Sequence, residues 1–193
     1  MSNKQYFILS QEQIDKVGNA IIYLCESIGP MPKIKILKLI YILDEISIKK
    51  SGVPFFNLPY KVWKFGPVAE DIFVDLTTDL SKLKPYIIKE KKEEEEEANF
   101  APIASFNDDE FTNNDIKLMD LVIKQYGELD SQQLVEVTHR KNAPWYNIAV
   151  KHNILDLLLT EKISNTEYMI DFIDLIAHDE TKKMIYQDYL EMN

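Results

Sequence analysis

The sequence predicts a mainly α-helical fold of the α+β class, carrying a small antiparallel three-stranded sheet or hairpin. Three observations lead there. Apolar residues recur at three- and four-residue spacing through most of the chain, residues suited to capping a helix precede several of these runs, and the glycines are few and fall mostly at the ends of the runs. Strand character is confined to short stretches near residues 60–65 and 86–106.

Taken in order, Ser10 and Gln13 form a capping box, after which Ile14, Val17, Ile21, Leu24 and Ile28 keep one face apolar until Gly29-Pro30. Pro32 suits a first helical turn. From Ile34 to Ile48 the apolar positions are too many for one stripe, which places that helix at the centre of the fold. Ser51-Gly52 ends it, and Pro54 and Pro59 keep the next segment extended. Tyr60 to Phe65 alternates like a strand, and Gly66-Pro67 is expected to open a third helix running to about Leu83. Tyr86-Ile87-Ile88 and Phe100 to Phe106 flank an acidic insertion at residues 89–97, read as a hairpin with a solvated tip that joins the Trp63 strand in one sheet; a disordered linker between two lobes is the alternative.

Further helices follow. Asn114-Asp115 opens one that Gly127 closes, Asp130 with Gln133 caps a short one ending near His139, and Pro144 starts another. Ser164 with Glu167 makes a capping box ahead of Met169, Ile170, Ile173 and Ala177, and residues from about 180 to 192 form an extra C-terminal helix. The expectation is one domain over residues 1–193.

The chain carries 22 basic and 32 acidic residues for a formal charge of -10, and Arg140 is its only arginine. Long-range attraction to nucleic acid is therefore not expected, whereas a basic protein partner would be welcome. Cys25, the only cysteine, falls in an apolar helical stripe and reads as a small core residue. No apolar run has the length of a membrane span, and the first residues lack a secretion signal, so the expected location is the cytoplasm. His139, His152 and His178 are not spaced as metal ligands, and no nucleophile or phosphate-binding motif appears, so no metal, cofactor or catalytic residue is assigned.

Two segments stand out, Val62-Trp63-Lys64-Phe65-Gly66-Pro67-Val68 and Thr138-His139-Arg140-Lys141-Asn142-Ala143-Pro144-Trp145. Gly66, Pro67 and Pro144 fix the backbone there, Thr138 ties the turn, and each segment mounts an indole. Two readings stand side by side. The rings of Trp63 and Trp145 fill a junction between helical blocks, with His139 fixing a turn and Arg140 in an internal salt bridge. Alternatively Trp63, Lys64, His139, Arg140 and Trp145 form a patch that binds another protein. A rival class is a hydrolase-like enzyme with carboxylates and His139 lining a cleft between the two helical blocks.

Together with Lys35-Ile36-Leu37-Lys38-Leu39-Ile40-Tyr41, Gly52, Pro54 and Phe55, these segments resemble the Panacea domain of SocA-like phage-associated antitoxins, over residues from about 15 to 175. Leu37 stands where that family commonly has glutamine and Phe65 where it commonly has tyrosine, and the acidic insertion and the tail after His178 are particular to this chain. The resemblance implies a helical, non-enzymatic antitoxin that neutralises a cognate toxin protein, encoded by a neighbouring gene, through direct contact. Some similar proteins deliver a toxin to an energy-dependent protease.

Overall fold

Helix α2, Lys33–Ser51, runs through the middle of the molecule because almost every side of it is apolar, from Ile36 to Ile48. In the computed structural model, which describes residues 9–91 and 97–192, the other elements are arranged around it. Helix α1, Gln11–Ile28, begins with the Ser10–Gln13 capping box and ends at Gly29. Strand β1, Met31–Pro32, leads into α2, and β2, Tyr60–Trp63, and β3, Gly66–Ala69, follow it. Then come α3, Glu70–Thr77, β4, Ile87–Glu90, and β5, Asn99–Pro102. The second half is helical: α4, Asn113–Tyr126, α5, Ser131–His139, α6, Pro144–Lys151, α7, Leu155–Leu159, a short 3-10 turn at Ile173–Ile176, and α8, Glu180–Met192. Among the described residues no helix is long and apolar enough to cross a membrane.

The predicted class is found, a mainly helical protein with small antiparallel sheets of three and two strands. The sheets are divided differently from expectation. The three-stranded sheet has the order β1-β5-β4, with Met31 opposite Phe100 and Ile87 opposite Pro102, so its third strand is Met31–Pro32 and not the Trp63 strand. Of the acidic insertion, residues 92–96 lie outside those described. The Trp63 strand instead forms its own hairpin with β3, Tyr60 opposite Ala69 and Trp63 opposite Gly66, closed by Lys64 and Phe65 alone.

Gly66-Pro67 therefore does not open a helix. Gly66 takes a φ of +97°, which reverses the chain, and Pro67 continues as strand opposite Val62. The helix starts only at Glu70, where Glu70 and Asp71 put negative charge on its first turn. The capping box expected at Ser164 and Glu167 is likewise not used. Residues 164–170 run extended beside β2: Val62 N–H donates to Tyr168 O at 2.9 Å, Lys64 N–H to Ser164 O at 2.9 Å and Ile170 N–H to Tyr60 O at 2.8 Å. The Thr166 hydroxyl adds a bond to Val62 O at 2.7 Å. Pairing to an otherwise open strand edge satisfies more backbone groups than an isolated turn of helix would, and helical structure resumes only at Ile173.

Two close approaches fix the layers. A side chain at Gly18 would place its Cβ 2.3 Å from the Tyr86 ring, so α1 meets the lead-in to β4 only because that residue is glycine. Asp44, fully buried in α2, accepts from Phe56 N–H at 2.7 Å and from the Tyr60 hydroxyl at 2.6 Å. These bonds pin the 53–59 loop and set where β2 begins, while burial raises the carboxyl pKa above its ordinary value. Asp44→Ala should lower stability by about 2 to 4 kcal/mol, because it orphans the buried Phe56 N–H and leaves the Tyr60 hydroxyl only the Ile40 carbonyl at 3.4 Å, and Tyr60→Phe by only about 1 kcal/mol. Urea unfolding of the two variants beside wild type measures both, and equal losses would contradict this account.

Candidate functional site

The two motif segments meet over one polar stripe of α2. Lys38, Tyr41 and Glu45 are three and four residues apart, so their side chains leave the same face of the helix, toward the corner between α5 and α6. Lys38 is only 1% exposed, and its ammonium donates to the carbonyl of Pro67 at 2.8 Å. Gly66 lies against it: a Cβ there would stand 2.8 Å from the Thr138 hydroxyl oxygen and 3.1 Å from Lys38 Nζ. The hairpin turn thus sits on the lysine and on Thr138, which is itself buried and donates to Val135 O at 3.0 Å.

Trp145 closes the same junction from the other side. Pro144 starts α6 with φ already fixed, and the indole that follows is completely buried, its N–H donating to Trp63 O at 2.9 Å. His139 lies flat on that indole, ring centroids 3.8 Å apart and planes 21° from parallel. Trp63 is half-buried with its ring edge-on to Phe73 at 5.0 Å, and its indole N–H is buried without a hydrogen-bond acceptor. Of the sequence-predicted residues, then, Trp63, Gly66, Pro67, Thr138, His139, Pro144 and Trp145 come together in one packed corner.

Lys64 and Arg140 belong to its rim. Lys64 pairs with Glu161 at 2.9 Å, and its ammonium stands 4.5 Å from the centre of the Phe65 ring. Arg140 donates to Val137 O at 2.6 Å and pairs with Glu45, whose buried carboxylate also holds Lys49 at 2.5 Å. The internal salt bridge foreseen as one reading of Arg140 is present, yet its side chain remains 40% exposed.

The electrostatics follow from burial. With no carboxylate beside it, the Lys38 ammonium loses its water and gains one carbonyl, and its pKa falls from 10.5 to about 7. Burial and then the neighbouring Lys38 push His139 down to about 4, so its ring is neutral at physiological pH. Tyr41 moves the other way, raised by burial and by the Glu45 carboxylate. His139 Nε2 is buried without a partner, the ring's stacking face is spent on Trp145, and no carboxylate bonds to it. A cleft of about 330 Å3 does open, between the 54–59 loop, residues 169–172 and α8, but its lining includes Asp44, Phe172 and Tyr186 and not His139.

Sequence reasoning missed Lys38, Tyr41 and Glu45 as parts of this site. A signal existed, since Lys38 sits between Leu37 and Leu39 on a helix apolar on nearly every side, where no face is left for a solvated charge. Phe65 was noticed only for the hydroxyl it lacks.

The unfolded chain holds the Lys38 proton up to about pH 10.5 and the folded chain only to about 7, so wild-type stability climbs as pH rises through that window and is depressed below it. Lys38→Met should accordingly gain about 1 to 3 kcal/mol over wild type at pH 7 and lose the advantage toward pH 10. Denaturant titrations at the two pH values test the sign, and an advantage growing with pH would refute it. Trp145→Ala, which empties a completely buried site, should cost about 3 to 5 kcal/mol in the same measurement.

No curated protein and no solved structure matches the chain. A family model described as antitoxin SocA-like, Panacea domain, matches residues 36–146, more than half of the 193 residues. The matched stretch begins inside α2 and ends one residue past Trp145, so it takes in the lysine, the hairpin and the α5–α6 corner together. The chain belongs to the SocA-like antitoxin family that carries the Panacea domain.

Proposed function

We propose that this protein is an antitoxin that neutralises a cognate toxin protein, encoded by a neighbouring gene, by direct contact through the hairpin and the α5–α6 corner. One observation carries the reading: the family match spans 36–146 and therefore contains every residue of the corner built around Lys38. The corner is assembled from residues far apart in sequence and held by hydrogen bonds from Lys38 to Pro67 and from Trp145 to Trp63. Such a surface is preorganised, which lowers the entropy lost when a partner docks.

The mechanism is occlusion. An interface of roughly 1,200 to 2,000 Å2 would cover a toxin's working surface without any bond being made or broken. Trp63 and Trp145 support the face from beneath, His139 spaces the two segments, and Lys64 and Arg140 contribute from its rim. That His139 is neutral, stacked and closed off at Nε2 favours this role over general acid or base chemistry.

Expression of the neighbouring open reading frame alone is expected to arrest growth, and co-expression with this protein to restore it, with the two polypeptides co-purifying in fixed ratio. A neighbour that is harmless, or toxic to the same degree in both strains, would end the proposal.

A further inference from the structure

The two tryptophans cannot themselves be the part of this face that enters a partner, since one is completely buried and the other half-buried with its indole N–H enclosed. The aromatic ring that does stand in solvent lies two residues beyond Trp63. Phe65 is 53% exposed at the tip of the β2–β3 hairpin. A large apolar ring left in water on a tight turn is unfavourable by itself, and an ordinary solvated turn would carry a polar residue there.

That turn is also held from several sides. Lys38 grips the carbonyl of Pro67, Trp145 grips the carbonyl of Trp63, and Lys64 N–H is bonded to Ser164 O. On the far side the Gly66 backbone rests against Thr138 so closely that a methyl group would not fit. Every residue flanking Phe65 is thus fixed, and the ring projects from a rigid mount that has little conformational entropy left to lose on binding.

Cations gather near the turn, and two of them are ion-paired within the chain, Lys64 with Glu161 and Arg140 with Glu45. Against a net charge of -10, the segment that packs on the turn carries Arg140, with its side chain 40% exposed, and Lys141, exposed beside it. Lys64 adds a third cation over the ring itself. Leu159, 60% exposed, precedes by two residues the Glu161 that holds Lys64.

We propose that Phe65 is the anchor of the docking face, inserting into an apolar pocket on a folded protein partner whose rim carries carboxylates, which Arg140 and Lys141 meet. This rests on the antitoxin reading and adds to it the residue that enters the partner and the chemistry of the surface that receives it. The complement of a rigid projecting ring is a concavity, and the complement of the exposed Lys141 and the part-exposed Arg140 is acidic.

The test uses the full-length protein and the purified product of the adjacent open reading frame, with affinity measured by calorimetry and folding by thermal melts. Phe65→Ala is expected to weaken binding about 30-fold or more, the scale of a hot-spot truncation, while its melting temperature stays close to that of wild type. Phe65→Tyr should bind within a few-fold of wild type, and Lys141→Glu should slow association, more so at low salt. Wild-type affinity in Phe65→Ala overturns this inference and leaves the antitoxin reading intact. Absence of binding by the wild-type protein overturns both. Full binding by Lys141→Glu at low salt overturns the acidic rim.

Discussion

The buried ammonium of Lys38 is the interaction on which the corner depends. A lysine taken from water into an apolar helix environment loses most of its hydration, and here it recovers one carbonyl at 2.8 Å and no carboxylate. A methionine would fill the same volume with no such loss. What the lysine provides that methionine lacks is a directed bond to Pro67 O, at the one place where β3 leaves the turn and cannot offer an N–H of its own. The hairpin is therefore attached to α2 by a side chain and not by backbone pairing, while Trp145 and Ser164 hold the same turn from other sides. Gly66 is required by the same geometry, because its positive φ reverses the chain and its missing Cβ leaves room for Lys38 and Thr138 at once.

The stripe that begins at Lys38 explains how motif segments far apart in sequence come to pack together. Lys38 holds the hairpin, and about two helical turns further along Glu45 holds Arg140. Between them, Tyr41 stacks against Phe172 at 5.6 Å and meets Tyr60 edge-on at 5.1 Å. A single helix face thereby sets the separation between hairpin and corner. His139 and Trp145 fill the space that remains, and the short gap between their ring centroids leaves no room for a substrate there.

Much of this was legible in the sequence, and the divisions are physical. The helices announced themselves because capping is local: the boxes at Ser10 and at Asp130 are both formed as their spacing implies. Cys25 is buried and Arg140 is ion-paired, as side-chain chemistry alone allowed. The failures were all non-local. Gly66-Pro67 has the composition of a helix start, and it became a strand because Val62 and Trp63 were available to pair with it. Ser164 and Glu167 have the spacing of a cap, and the edge of β2 claimed their segment instead. Lys38 looked like one more lysine in a run because its burial is decided by α5 and by the hairpin, neither of which is adjacent to it in sequence. The two tryptophan segments do pack together, but whether an indole anchors from within or projects outward is a property of packing that no spacing encodes.

The region beyond the family match has a part in this that its position in the chain would not suggest. Residues 36–146 supply the lysine, the hairpin and the corner, yet on their own they would leave β2 with one edge unpaired. An exposed edge beside a projecting phenylalanine would invite pairing with any extended chain. Residues 164–170 occupy that edge through main-chain bonds at Tyr60, Val62 and Lys64, and Glu161 takes the Lys64 side chain. Closing the edge removes unselective pairing through backbone hydrogen bonds, which suits the docking proposed through Phe65 and the charges near it. The C-terminal part of the chain thus completes the β2 edge that residues 36–146 alone would leave open.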